Sequence, residues 1–252
     1  MPDWTDVERN VRDALARISS LHDEDAEVVC SAMHLHYCAS LLLPRDMTGA
    51  YALVVAGLET LAMRFGNPPK SWEAWDQSDS WEKFFKSQAL TEKQSSAFRD
   101  RLIADKHMRL AETFGTYVSE RLPDGFWDEE VKTYVWGIDG STGAPLEGSW
   151  SEGEPRDRHF GIDRSKVKQA FKKAYHARSQ FMHAGRQTVT FVDDLFGDDR
   201  ERNRSRVSFA QARAALRRLI LLELDDLGDP DPAGLEDVGF EFTEPPAQNP
   251  AT

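Results

Sequence analysis

The chain of 252 residues has only two cysteines, Cys30 and Cys38. On a single helix, eight residues of rise would hold them about 12 Å apart. A disulfide tolerates roughly 7 Å between Cα atoms, so no intrachain bridge is expected. Such sparing cysteine use fits a reducing compartment. No apolar run approaches the roughly 18–20 residues that cross a bilayer, so no membrane partner is expected. The opening stretch MPDWTDVERN is acidic and lacks the apolar centre of a signal peptide, and the expected location is cytoplasmic. The sequence holds no Walker loop, dinucleotide fingerprint, HExxH or GxSxG, so no cofactor is signalled. No internal repeat is visible. Basic charge is scarce: 31 Lys and Arg face 43 Asp and Glu, a formal net charge of −12. That balance speaks against a general nucleic-acid coat protein.

What positive charge there is lies in clusters. Lys166, Lys168, Lys172 and Lys173 form one, and Arg200, Arg202, Arg204, Arg206, Arg213, Arg217 and Arg218 form another. Each reads either as a local basic surface or as a solvated helix face. Acidic residues gather near the C-terminus, among them Asp225, Asp226, Asp229 and Asp231. Seven Trp and fourteen Phe supply large anchors for a core.

Helical periodicity dominates. Val7, Val11, Ala14, Leu15 and Ile18 predict an amphipathic helix over 5–19, and a second runs from about Asp25 to Leu43, before Pro44. The stretch from Asp46 to Phe65 is apolar nearly all round, the mark of a buried central helix, and Gly66 to Pro69 end it. A Trp-bearing loop over 68–80 and a short helix over 81–87 follow. Thr91 and Gln94 form a capping box that opens one long helix, with Phe98, Leu102, Ile103, Leu110, Phe114, Tyr117 and Val118 as its core stripe. Pro123 to Gly125 close it. Brief strands are expected over 131–136 and 188–192. Residues 137–161 form a Gly- and Ser-rich loop of unusual length for a compact domain. Asp163 or Ser165 caps the next helix, which Gly185 ends, and a last helix spans 209–227. The remainder is too polar and Pro-rich to pack and reads as a disordered tail.

One stretch stands out, RSQFMH from Arg178 to His183. Positions 167, 171, 174, 178 and 181 share a helix face, and all but Arg178 are apolar. An arginine in a core stripe needs a partner, because an uncompensated buried charge costs several kcal/mol. Glu59 has the same difficulty: it is the only charged residue between Asp46 and Arg64, among Ala52, Val55, Ala56 and Ala62. Pairing of Glu59 with Arg178 across two packed helices answers both. His183 lies five residues beyond Arg178, about 140° around a regular helix. The two share a groove only if the helix loosens toward Gly185. Cys30, His34 and Cys38, at i, i+4 and i+8, would suit a soft metal. Without a second ligand pair, a packed helix face is the preferred reading, and no metal is expected. His176 is read as surface.

The segment AYHARSQFMHAGR, from Ala174 to Arg186, resembles the signature of HEPN-domain proteins and is most similar to the Apea-like HEPN branch. AGLETLA, from Ala56 to Ala62, is similar to that branch's Leu-Glu helix, and ARAALRRLILLEL falls where the family has its last helix. The resemblance implies an all-α, HEPN-like helical bundle over 46–228. It would carry insertions at 66–90 and 137–163, added N-terminal helices over 1–45 and a tail over 229–252. It also implies a metal-independent endoribonuclease, working as a homodimer on single-stranded RNA, in a defence or toxin-like setting with an antitoxin-like or regulatory protein as a further partner. Under that reading His183 serves as acid or base, Arg178 holds the scissile phosphate, Ser179 donates to it and Glu59 orients Arg178. Active members often carry Asn, Asp or His after the arginine, where this chain has Ser179. The alternative is therefore an inactive HEPN-like dimeric module that binds RNA, nucleotide or a partner protein. A purely structural helical scaffold is the third reading.

Overall fold

The computed structural model describes residues 4–105, 109–128, 137–138, 145–146, 164–184 and 207–228. The architecture is all-α. Its helices are α1 (Trp4–Ser20), α2 (Asp23–Leu42), α3 (Met47–Phe65), α4 (Ser78–Ser87), α5 (Glu92–Ala104), α6 (Leu110–Arg121), α7 (Val167–Ala184) and α8 (Phe209–Leu227). Short 3-10 turns occupy Asp124–Asp128 and Arg164–Lys166. The expected Gly-rich loop contributes one small antiparallel pair, Gly137–Ile138 with Pro145–Leu146. The strands expected over 131–136 and 188–192, the helix stop at Gly185 and the tail beyond Gly228 lie outside the described residues, as does most of the 137–161 loop.

Helix α3 is the axis of the bundle. The Asp46 carboxylate caps it by accepting from the Gly49 amide at 2.9 Å, which satisfies one of the first-turn donors that a helix leaves unpaired. Its apolar surface is covered by α2, α6, α7 and α8. Val54, Val55, Leu58 and Leu61 are fully buried, and each such side chain contributes about 1.5–3 kcal/mol when removed from water. Helix α2 brings Val29, Ala32 and Ala39 into the same core, α6 brings Phe114, α7 brings Phe171, and α8 brings Leu216 and Leu219. Two glycines set the spacing. A Cβ on Gly57 would lie 2.7 Å from Leu216 Cδ2, so α8 approaches α3 where there is no side chain. A Cβ on Gly115 would lie 2.7 Å from Lys172 Cγ and 3.0 Å from the Lys168 carbonyl oxygen, so α6 and α7 run backbone against backbone there.

Polar clamps hold the outer helices. Tyr117 donates its hydroxyl to Glu223 Oε1 at 2.7 Å, and Arg121 Nε donates to the same oxygen at 2.8 Å, tying α6 to α8. Burial first, then the Glu223 charge, pushes the Tyr117 phenol well above its usual range. Arg17 on α1 meets Asp225 on α8 at 2.8 Å. Tyr51 donates to the Val207 carbonyl at 2.8 Å, just ahead of the capping box that Ser208 and Gln211 build on α8.

The single long helix expected from Thr91 is two helices. The capping box of Thr91 and Gln94 is present, but α5 ends at Ala104 and α6 starts at Leu110. No Gly or Pro marks the break; tertiary packing makes it. Phe98 on α5 stacks on Phe85 at 5.8 Å, within an aromatic cluster that includes Trp72, Trp75 and Trp81. Phe114, Tyr117 and Val118 on α6 serve the central core instead. One straight helix cannot face both. Phe98 accordingly remains half exposed, and Leu102 and Ile103 are only half-buried. At the break, the Arg109 guanidinium is buried and donates to the Pro69 carbonyl. The short helix expected over 81–87 begins earlier, at Ser78.

Candidate functional site

Helix α7 lays Val167, Phe171 and Ala174 into the core at spacings of four and three residues, and Arg178 is next in that row. Its Nη1 stands 3.1 Å from Glu59 Oε2 on α3, with 23% of the Arg178 side chain and 13% of the Glu59 side chain exposed. The contact is an ion pair without hydrogen-bond alignment: Glu59 Oε2 and Arg178 Nε are both buried with no hydrogen-bond partner. Burial raises the Glu59 carboxyl above its ordinary range, and the Arg178 charge only partly opposes that. The guanidinium therefore keeps donor capacity that Glu59 does not use.

Tyr175 stands beside this pair. Burial raises its phenol, Glu59 raises it further and Arg178 opposes, so its hydroxyl shares their electrostatic environment. Its ring lies 5.6 Å from Phe114. No role was expected for it; its place three residues before Arg178, on the same flank of α7, is the signal that marks it.

Ser179 is half-buried and His183 is exposed on the last described turn. They are four residues apart and share a face of α7. Arg178 and His183 do not, because α7 stays helical through Ala184. The loosening that would bring them together within one subunit does not occur before that point. His176 is exposed and seven residues from His183, hence on nearly the same face. Burial and then Lys172 lower its imidazole pKa, against an opposing effect of Asp76.

Half of the lysine cluster before this segment is tied up in ion pairs, while Lys166 and Lys173 are exposed. Lys172 is buried, donates to Glu112 Oε2 at 2.7 Å and contacts Asp76; Lys168 also pairs with Glu112. This network joins α6, α7 and the segment between α3 and α4. The sequence carried no plain signal of it, because Glu112 shares its row of α6 with Gly115, Thr116 and Ser119 rather than with apolar residues. Cys30, His34 and Cys38 do lie on one helix, with Cys38 Sγ 3.4 Å from His34 Nε2. Among the described residues, no group of three or more His, Cys, Asp or Glu side chains is arranged to hold a metal ion. Among them too, no helix is long and apolar enough to cross a membrane.

No family model matches the chain, no curated protein does, and no solved structure does.

Proposed function

We propose that the protein is a metal-independent endoribonuclease of HEPN type that cleaves single-stranded RNA as a homodimer. The observation that carries this reading is the Arg178–Glu59 pair, 3.1 Å apart, on the helix that ends with an exposed His183. RNA carries its own nucleophile in the 2′-hydroxyl. In cleavage, the 2′-oxygen bonds to phosphorus and the bond to the leaving 5′-oxygen breaks. One proton leaves the 2′-hydroxyl for a base, and another reaches the 5′-oxygen from an acid. An imidazole titrates near neutral pH and suits either task. The guanidinium edge of Arg178 turned away from Glu59 would take the phosphate oxygens, with Ser179 as a further donor. His183 lies about 140° around α7 from Arg178. A second subunit would supply the facing histidine, so that one imidazole acts as base and the other as acid.

The alternative, an inactive dimeric module that binds RNA, nucleotide or a partner protein, is favoured by two features. Arg178 already has a carboxylate beside it, and Ser179 follows it.

Labelled single-stranded RNA incubated in EDTA with wild type, Arg178→Ala and His183→Ala tests the reading. Cleavage by the wild type and its loss in both variants is the expected result. Binding without cleavage selects the dimeric module. Neither binding nor cleavage leaves the structural scaffold.

A further inference from the structure

Helix α2 has one face on the outside of the bundle, and that face has the composition of an interior. From Val28 to Leu43 the chain carries no Asp, Glu, Lys or Arg, although 29% of all its residues are charged. The inner face accounts for part of this, because Val29, Ala32 and Ala39 are buried where α3 and α8 cover the helix. The outer face is not accounted for. Met33, Tyr37 and Leu41 follow one another by single turns and are 37%, 60% and 61% exposed. Cys30 and His34, also exposed, lie in the same row. A surface helix ordinarily turns charged side chains to water on that side, and one without them all round is normally covered all round. Single exposed apolar residues need no explanation, but a continuous row of about three turns does.

The row ends in charge, of opposite sign at its two ends. Asp23 and Glu27 precede it on the same side of the helix, and Arg45 follows it in the turn after α2. All three are exposed, and among the described residues none of them has an ion-pair partner. Their neighbours Glu24 and Asp25 are taken by Arg64. Two copies of α2 laid antiparallel set the acidic end of each against Arg45 of the other. With the two-fold axis near His34, Asp23 and the other copy's Arg45 lie equally far along the seam. A parallel pair would bring like charges together at both ends. The net charge of −12 drives two copies apart over most of their surface, and this row, uncharged between complementary ends, is where they can approach.

We propose that the outer face of α2 is a self-association surface, covered by the antiparallel α2 of a second copy of this chain. Met33, Tyr37 and Leu41 form its apolar centre, and Asp23 and Glu27 meet Arg45 across each end. In a two-fold contact every such interaction occurs twice. This is not the contact that would bring two copies of His183 together. At Gly57, α3 faces α2, where an added Cβ would lie 3.6 Å from the Ala32 carbonyl oxygen. Glu59, which meets Arg178 of α7, is about 200° further round α3. The two contacts use different sides of the subunit, so the α2 surface stands whether or not the protein cleaves RNA. A single helix pair makes a small interface, and the association is expected to loosen on dilution.

The test is sedimentation velocity of the full chain from dilute to near-millimolar protein. The wild type is expected to associate reversibly. Tyr37→Glu weakens the association about tenfold or more, and Tyr37→Glu with Leu41→Glu halves the mass of the assembly. Both side chains are mostly exposed, so neither change opens the core. Arg45→Glu weakens the association several-fold, and so does Asp23→Arg with Glu27→Arg. All three charge changes in one chain restore it, a result that neither misfolding nor a parallel pair would give. His183→Ala leaves it unchanged. A wild type that stays monomeric throughout overturns the proposal, as does an assembly indifferent to the Tyr37 and Leu41 changes, which would be held by another face. Failure of the triple charge change to restore association overturns the antiparallel arrangement.

Discussion

Arg178 Nη1 stands 3.1 Å from Glu59 Oε2 where α7 packs on α3, and neither side chain is fully withdrawn from water. A pair in this position costs desolvation and returns Coulombic attraction. Its value lies less in net stability than in fixing where the guanidinium points. Removing one partner should therefore cost more than removing both. Arg178→Met and Glu59→Leu are each expected to destabilise by about 1–3 kcal/mol. The double change should cost less than their sum, with a coupling of about 1 kcal/mol or more. Urea unfolding of the four proteins measures it. Strict additivity would show that the two groups do not sense each other.

Two buried carboxyl groups give opposite acid responses. Burial raises Glu59 above its unfolded value of 4.5, so the folded state holds that proton more tightly. Its contribution to stability is present below pH 4.5 and is lost as pH rises through the folded pKa. Burial also pushes Glu112 upward, but the Lys168 and Lys172 hydrogen bonds outweigh it and hold the carboxyl below 4.5. Its contribution is present above pH 4.5 and is lost as pH falls through the folded pKa. Unfolding free energies followed between roughly pH 3 and 7 should show the first slope vanish in Glu59→Gln and the second in Glu112→Gln. An unchanged profile in either variant refutes its assignment.

Gly115→Ala tests the close contact of α6 and α7. In an isolated helix this change gains up to about 1 kcal/mol of propensity. Here the new methyl would meet Lys172 Cγ at 2.7 Å and the Lys168 carbonyl at 3.0 Å, and the carbonyl cannot rotate away. A net loss of about 1–2 kcal/mol is expected, read as a lower melting temperature. A gain in stability would mean that the two helices are not held together at this point.

The all-α class could be read from periodicity, because an apolar stripe repeating at helical spacing needs no partner to be recognised. The capping box of Thr91 and Gln94 was equally visible, since each acts on an amide within three residues of itself. The break between Ala104 and Leu110 was hidden. Both halves fit one continuous stripe, and only the separate aromatic cluster around Phe85 shows that they serve two different cores. The lysines at 168 and 172 read equally as a basic surface or a solvated helix face, and neither reading foresaw Glu112 and Asp76, distant in sequence, beside them.

The candidate site divides the same way. A lone charge in an apolar row announces that it has a partner, so the pairing of Glu59 with Arg178 followed from two local anomalies. The place of Tyr175 beside that pair did not follow, nor did the choice between a loosened helix and the regular α7 that keeps Arg178 and His183 on different faces. Local pattern determined which segments are helices, where their caps lie and which charges sit in apolar rows, because those properties depend on near neighbours in the chain. The tertiary structure alone decided which helix faces meet, since that depends on close approaches such as those at Gly57 and Gly115 and on carboxylates supplied from far along the sequence.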